Sequence, residues 1–334
     1  MRAPAASLLV SLSCAVAAAQ QPPRYVERVD VARIIVDARV VDASGRPILG
    51  LEAGDFKVRV DGKPARVDSA AWIGVRSDAE PAPRTTPSID GEPTGRLIVF
   101  LFQKSLEPTR IVGLMRMLQQ SRDFLGTLSP DDRVAVLSFD SYLTVWTDFT
   151  SDRARLEPVL ERGVLLEPPR PVQSAGVVSL LTRLDPSTAS RASTIEQALE
   201  LIGLALEPLP GSKAVVLFGY GIGRFTGSGV IMTHDYEPAR RALVAARASV
   251  FSLDVTTADY HSLEVGLQLM SEQTGGFYAR THLFPNLAME RLAGALAGSY
   301  VLFVEKLDAA RPTRPTVDVE LTRRKGSVLA RTAY

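Results

Sequence analysis

The 334-residue chain carries 38 basic and 37 acidic residues, 46% hydrophobic residues and one cysteine. So even a charge balance leaves no basic footprint for nucleic acid or an anionic membrane. The apolar fraction and length suit a folded core in about two domains, and a single thiol excludes an internal disulfide framework.

Residues 1–19 read as a cleavable export signal. Arg2 gives a weak positive start, and Leu8, Leu9, Val10, Leu12 and Val16 a short apolar run. Ala17-Ala18-Ala19 gives a small-residue cleavage site before Gln20-Gln21-Pro22-Pro23. The run is shorter than the roughly 20 residues of a spanning helix. Ser11 stands where a lipobox needs an aliphatic residue, which argues against lipidation at Cys14. Cleavage would remove Cys14 and Arg2, leaving 37 charges of each sign and no thiol. The expectation is an exported protein, periplasmic or extracellular, stabilised by packing rather than by cross-links. No later segment is long and apolar enough to span a bilayer.

Residues 20–76 are expected to form a small N-terminal β-domain. VDVARIIVDARVVD is a β-branched run ending in the turn cluster Ala43-Ser44-Gly45-Arg46-Pro47. In FKVRVDGKPARV, Phe56, Val58 and Val60 alternate with Lys57 and Arg59, and Asp61-Gly62 signals a hairpin. This unit reads as half of a sandwich. Residues 77–94, polar and rich in proline, read as a linker.

From residue 95 to 306 apolar strands alternate with helices. Strands are expected at 97–102, 133–139, 142–149 (a hairpin partner of the preceding strand), 213–218, 249–255 and 299–306, with a short extended piece at 275–279. Helices are expected at 109–125, from Ser151, and at 193–206, 237–248, 263–273 and 287–297. The alternation predicts an α/β fold with a doubly wound, mostly parallel sheet. Residues 307–334, where VDVELTRRKGSVLARTAY alternates again, read as a C-terminal β-hairpin packing with the N-terminal β-domain. Arg323-Arg324-Lys325 reads as its solvated turn. Trp72 and Trp146, near strand ends, read as core anchors.

In a doubly wound sheet, ligands sit beyond the carboxyl ends of the strands. After 97–102 come Gln103, Lys104, Ser105, Leu106 and Glu107. After 213–218 comes Gly219-Tyr220-Gly221-Ile222-Gly223, and after 249–255 come Thr256, Thr257 and Asp259. The glycine loop is not the G-x-G-x-x-G spacing of a nucleotide cradle and reads as a flexible loop. His234, His261 and His282 belong to no H-E-x-x-H pair. No G-x-S-x-G elbow is present, and export would leave no thiol nucleophile. His234-Asp235 and Asp259-Tyr260-His261 read as polar loops. The chain is therefore not expected to be an enzyme.

The order of these elements resembles the von Willebrand factor type A (integrin I-like) fold, and more closely the exported bacterial VWFA-related proteins. The matching stretches are VVDASGRPILGLEAGDFKVRVDGKPARV, RVAVLSFDSYLTVWTDFTSD, SEQTGGFYA, SYVLF and VELTRRKGSVLARTAY. The resemblance implies an adhesion-type module whose Asp-x-Ser-x-Ser loop, a Thr and an Asp hold Mg²⁺ for a partner's carboxylate. Here Gln103 stands at the Asp position, Ser105 at the first Ser and Glu107 at the second. Ser193 or Thr194 falls at the Thr position, and Tyr220 lies where the last Asp is expected. Lys104 and Arg224 add positive charge close by. The resemblance thus implies a degenerate metal-ion-dependent adhesion site with no cofactor. Mg²⁺ held by Ser105, Glu107 and Ser193 is the alternative. The partner is expected to be a protein or cell-surface component, met by the loops 103–110, 187–194 and 219–234, with Lys104, Tyr220, Arg224 and Phe225 as contact candidates. The rival readings are a structural subunit of an envelope complex and a hydrolase with a rearranged site.

Overall fold

A computed structural model describes residues 33–74, 95–174, 176–305 and 316–332. The export signal, Cys14 and the Pro-rich linker lie outside the described residues. The described residues form fifteen strands: β1 (Arg33–Val41), β2 (Phe56–Val60), β3 (Lys63–Ala65), β4 (Val67–Gly74), β5 (Leu97–Gln103), β6 (Arg133–Phe139), β7 (Leu143–Thr150), β8 (Lys213–Gly219), β9 (Arg224–Thr226), β10 (Gly229–Ile231), β11 (Ala248–Asp254), β12 (Tyr278–Arg280), β13 (Gly298–Glu305), β14 (Val317–Leu321) and β15 (Ser327–Ala330). The α-helices are α1 (Pro108–Leu125), α2 (Arg153–Pro158), α3 (Val164–Leu166), α4 (Pro186–Ala189), α5 (Ile195–Leu206), α6 (Tyr236–Ala245), α7 (Glu264–Thr274) and α8 (Pro285–Leu296).

The main sheet has the order β12-β11-β8-β5-β6-β7. All neighbours are parallel except the edge strand β7, which returns antiparallel on β6. The middle strands β5, β8 and β11 are buried along their whole length, as strands covered on both faces must be. Alternate residues of β5 serve the two faces. Leu97, Val99 and Leu101 pack with α5, α6 and α7, while Ile98, Phe100 and Phe102 pack with α1 and α8. The fold is a doubly wound α/β sheet. Helix starts follow local chemistry: Asp152 caps α2 by accepting from the Ala154 N–H, and Thr194 caps α5 by accepting from Gln197. Among the described residues no helix is long and apolar enough to cross a membrane.

Two antiparallel sheets form a second layer pair. One has the order β15-β1-β13-β4 and the other β14-β2-β3. Their inner faces share a core of Val36, Ala38, Phe56, Val58, Tyr300 and Leu302, joined by Val317 and Val319. Asp61 and Gly62 both take positive φ, 49° and 76°. This is the pairing a two-residue hairpin turn with matching twist requires, and Asp-Gly is its favoured sequence. Trp72 packs edge-on against Tyr300 at 5.1 Å, and the Tyr300 hydroxyl donates to Ile48 O at 3.0 Å.

Three expectations are corrected. The strand at 299–306 does not extend the parallel sheet: β13 pairs antiparallel with β1 and β4. Its burial alternates, with Tyr300, Leu302 and Val304 inward, unlike the wholly buried parallel strands. The C-terminal strands are not a hairpin: β14 pairs with β2 and β15 with β1, on opposite sheets of the sandwich. The glycine-rich segment is also more ordered than a flexible loop, since β9 and β10 form an antiparallel ribbon.

Candidate functional site

The winding of the main sheet reverses between β5 and β8, and the loops beyond their carboxyl ends enclose the crevice where such folds place ligands. Gln103 ends β5 and is 4% exposed. Its Oε1 accepts from the Tyr220 N–H at 2.9 Å and the Gly221 N–H at 3.3 Å, and its Nε2 donates to Gly221 O at 3.0 Å. The amide therefore ties the end of β5 to the loop after β8. A side chain at Gly219 would crowd it, because a Cβ there would lie 2.9 Å from Gln103 Oε1.

Ser105 Oγ accepts from the Glu107 N–H at 3.2 Å. The Glu107 carboxylate accepts from Thr109 Oγ1 at 3.0 Å and pairs with Arg110 Nε at 2.9 Å. The Arg110 guanidinium lies 4.1 Å from the centre of the Tyr220 ring. Burial pushes the Tyr220 phenol up, against the opposing pull of Arg110. Lys104 pairs with Asp140 at 3.3 Å and stands over Trp146, whose indole donates to Ser138 Oγ at 2.8 Å. Gln103, Glu107 and Tyr220 are thus brought together through the 220–221 backbone and Arg110.

Ser193 and Thr194 bond elsewhere. Ser193 Oγ donates to Gln197 Oε1 at 3.2 Å, and Thr194 Oγ1 donates to Asp235 Oδ2 at 3.1 Å. Asp235 also accepts from Gln197 Nε2 at 3.1 Å. Nearby, buried Glu196 accepts from the Gly223 N–H at 2.9 Å and from Thr233 Oγ1 at 3.1 Å, pinning the base of the ribbon. Arg224 and Phe225 sit on β9, with Phe225 61% exposed. Beside Lys104 and Ser105 opens a cavity of about 780 Å³ floored by Ile111, Met115, Leu118 and Leu160.

Replacing Gln103 with leucine is expected to cost about 2–3 kcal/mol, because the Tyr220 and Gly221 N–H groups and the Gly221 carbonyl lose their partner in a buried place. Urea denaturation of the variant measures it. Faster exchange of those two amide protons would locate the damage.

A second polar cluster lies at the end of β11, and it takes in His261, which the sequence places in a polar loop. Asp254, the last residue of β11, is 2% exposed. Its Oδ1 accepts from the Thr256 N–H at 2.9 Å, and its Oδ2 lies 2.7 Å from His261 Nε2 and 2.8 Å from the Tyr278 hydroxyl. That hydroxyl is also 3.0 Å from Glu264 Oε2, and Glu264 is gripped by both nitrogens of an Arg280 fork at 3.0 and 2.7 Å. Burial acts to raise the Glu264 carboxyl, but Arg280 and Tyr278 together hold it below the usual range. Burial, with Asp254 next, pushes the Tyr278 phenol far up, so it keeps its proton. The available signal was an acid closing an apolar strand, SVFSLD, followed by a histidine and then a glutamate at a helix start.

No family model matches the sequence, and no curated protein matches it. Solved structures do. One is a von Willebrand factor type A protein from Catenulispora acidiphila, 10% identical over 84% of this chain and 74% of that one, with a TM-score of 0.43. Another is a conserved hypothetical protein, BatB, from Bacteroides thetaiotaomicron, 15% identical over 60% of this chain and 97% of that one, with a TM-score of 0.41. A third is proximal thread matrix protein 1 from the mussel byssus, 15% identical over 64% of this chain, of whose length the chain spans about half (49%), with a TM-score of 0.42. The strand order β12-β11-β8-β5-β6-β7, rather than these distant likenesses, makes the chain a doubly wound α/β protein.

Proposed function

We propose that this chain is an exported binding module that holds a protein or cell-surface component on the face formed by the carboxyl ends of its parallel strands, and that it does so without catalysis and without a metal between β5 and β8. One observation carries the reading. Each of the five parallel strands is followed at its carboxyl end by an exposed large apolar side chain: Leu106 after β5, Tyr142 after β6, Phe225 after β8, Tyr260 after β11 and Phe284 after β12, at 92, 41, 61, 67 and 67% exposure. Exposed apolar groups scattered singly need no explanation, but a set gathered on one face marks an interaction surface. Aromatic side chains are the usual anchors of such surfaces. Lys104 and Arg224 supply charge among them, and Tyr220 supports Arg110 from below.

The donor set at Gln103 supports the metal-free form. A hard divalent cation needs anionic oxygens free to coordinate. Here both ends of the Gln103 amide are engaged, Ser105 serves a turn, and Glu107 is paired with a guanidinium.

The test is a double variant, Phe225→Ser with Phe284→Ser, measured for retention on envelope preparations from the source cells. Binding is expected to fall at least tenfold with an unchanged melting temperature, while Leu204→Ser, exposed on α5, binds as the parent does. Equal binding by all three proteins would reject this face. Mg²⁺-dependent binding by the parent would favour the adhesion-site alternative.

A further inference from the structure

Four donor atoms converge where β11 ends: Asp254 Oδ2, His261 Nε2, Tyr278 Oη and Glu264 Oε2. Adjacent pairs are 2.7, 2.8 and 3.0 Å apart. Atoms of Asp254, His261 and Glu264 all lie within 4.8 Å of one another. Two ligands each about 2.1 Å from a tetrahedral metal are about 3.4 Å apart, so a shift of roughly half an ångström would carry these atoms from hydrogen-bond separation to the edges of a coordination sphere.

Proton and charge accounting point the same way. A phenol has one proton. Tyr278 faces two carboxylate oxygens, so one of its two short contacts sets unshielded lone pairs against each other. The Arg280 fork is committed to Glu264. The ion-pair partner of buried Asp254 among the described residues is His261, whose side chain is 18% exposed and so reachable from solvent. With His261 neutral, the site sets two buried carboxylates against one guanidinium, an imbalance that a cation bound to the imidazole relieves.

We propose that Asp254, His261 and Glu264 bind one divalent transition cation of the Zn²⁺ class, with the Tyr278 hydroxyl beside it and a position left to water. An imidazole among carboxylates suits Zn²⁺ and its neighbours, whereas Mg²⁺ prefers all-oxygen sites. The place is the end of β11 and β12, apart from the β5–β8 crevice. The ion would fasten the strand end to the start of α7 across the loop 255–263. That loop is already seated on its neighbours: the Thr257 N–H donates to Thr109 O at 2.7 Å, and Leu263 closes so tightly on Gly221 that a Cβ there would lie 2.5 Å away. Tyr260, on the same loop, would be held in one presentation.

The untagged full-length chain, stripped with chelator, is titrated calorimetrically with Zn²⁺, Mn²⁺ and Mg²⁺. One equivalent of Zn²⁺ is expected to bind and raise the melting temperature, with no response to Mg²⁺ at the same concentrations. His261→Ala and Glu264→Gln are expected to weaken Zn²⁺ binding at least tenfold, and His234→Ala to leave it unchanged. X-ray absorption of the Zn²⁺-loaded parent gives a readout that needs no variant: one imidazole nitrogen and the rest oxygens, at about 2.0–2.2 Å. Absence of stoichiometric Zn²⁺ binding, undiminished binding by folded His261→Ala, or a shell with several imidazoles would overturn the proposal. None of these readouts involves a partner, so the result stands apart from the binding-face test.

Discussion

Replacing Asp132 with alanine is expected to lower stability by about 3–5 kcal/mol, the range for breaking a buried charge pair from one side. Asp132 precedes β6 and is 1% exposed. Its Oδ1 accepts from the Arg96 backbone N–H at 3.0 Å and Arg96 Nε at 2.8 Å, and its Oδ2 accepts from Arg96 Nη2 and from the Ser129 N–H at 2.8 Å. Arg96 also donates to the Leu296 carbonyl at the end of α8. Alanine would strand a mostly buried guanidinium and two N–H groups together, at the place where β5, β6 and α8 meet. Burial works to raise the Asp132 carboxyl, and the Arg96 fork with the two N–H groups more than offsets it, so the group sits below the usual carboxylate range. A carboxyl with a lowered folded-state value contributes stability that is present above its unfolded value, about 3.9, and lost as pH falls through the folded one. Urea denaturation of parent and variant is therefore expected to differ most near neutrality and to converge in strong acid. A constant difference across that range would contradict the assignment.

Phe218→Ala is expected to cost a similar 3–5 kcal/mol, the usual price of truncating a buried aromatic ring. Phe218 is fully buried. It stacks on Phe102 at 4.5 Å with an 8° tilt and meets Phe100 edge-on at 5.6 Å. The stack joins β5 to β8 directly beneath Gln103 and Gly219. The cavity would therefore loosen the Gln103 clamp as well as the core, and the amide protons of Tyr220 and Gly221 are expected to exchange faster than the global loss of stability alone explains. A loss below about 1 kcal/mol would show that the neighbouring helices collapse into the space.

Particular residues show why the sequence was legible where it was. Run length and period disclosed the parallel strands, because residues buried on both faces leave an unbroken apolar stretch, as in LIVFLF. Asp61-Gly62 disclosed its hairpin, because few other pairs tolerate two positive φ angles. β13 reads as a strand but not as an antiparallel one, because Val301 and Phe303, on its less buried face, are also apolar. They hide the alternation that separates a half-covered antiparallel strand from a parallel one. β14 and β15 suggested a hairpin because adjacency in sequence favours pairing, and nothing local says that the chain crosses between sheets at 322–326. In the site, spacing alone could place Gln103 at the end of β5. It could not reveal that the amide bonds to backbone atoms after β8, nor that Asp254, His261, Glu264 and Tyr278 meet, since those contacts depend on how neighbouring loops fold over the sheet edge.

The position of β1 has a consequence for synthesis and export. Its two neighbours, β13 and β15, lie at residues 298–305 and 327–330. A chain emerging amino end first presents Ile34, Val36, Ala38 and Val40 long before the strands that flank β1 exist. The main sheet, whose strands all fall between residues 97 and 280, can be completed earlier, and the sandwich is sealed last. Until β13 forms, β1 is an apolar strand with two bare edges, and until β15 forms it keeps one, the situation in which chains aggregate or recruit a chaperone. Loss of β15 would thus act nearly 300 residues away in sequence, by opening one edge of β1.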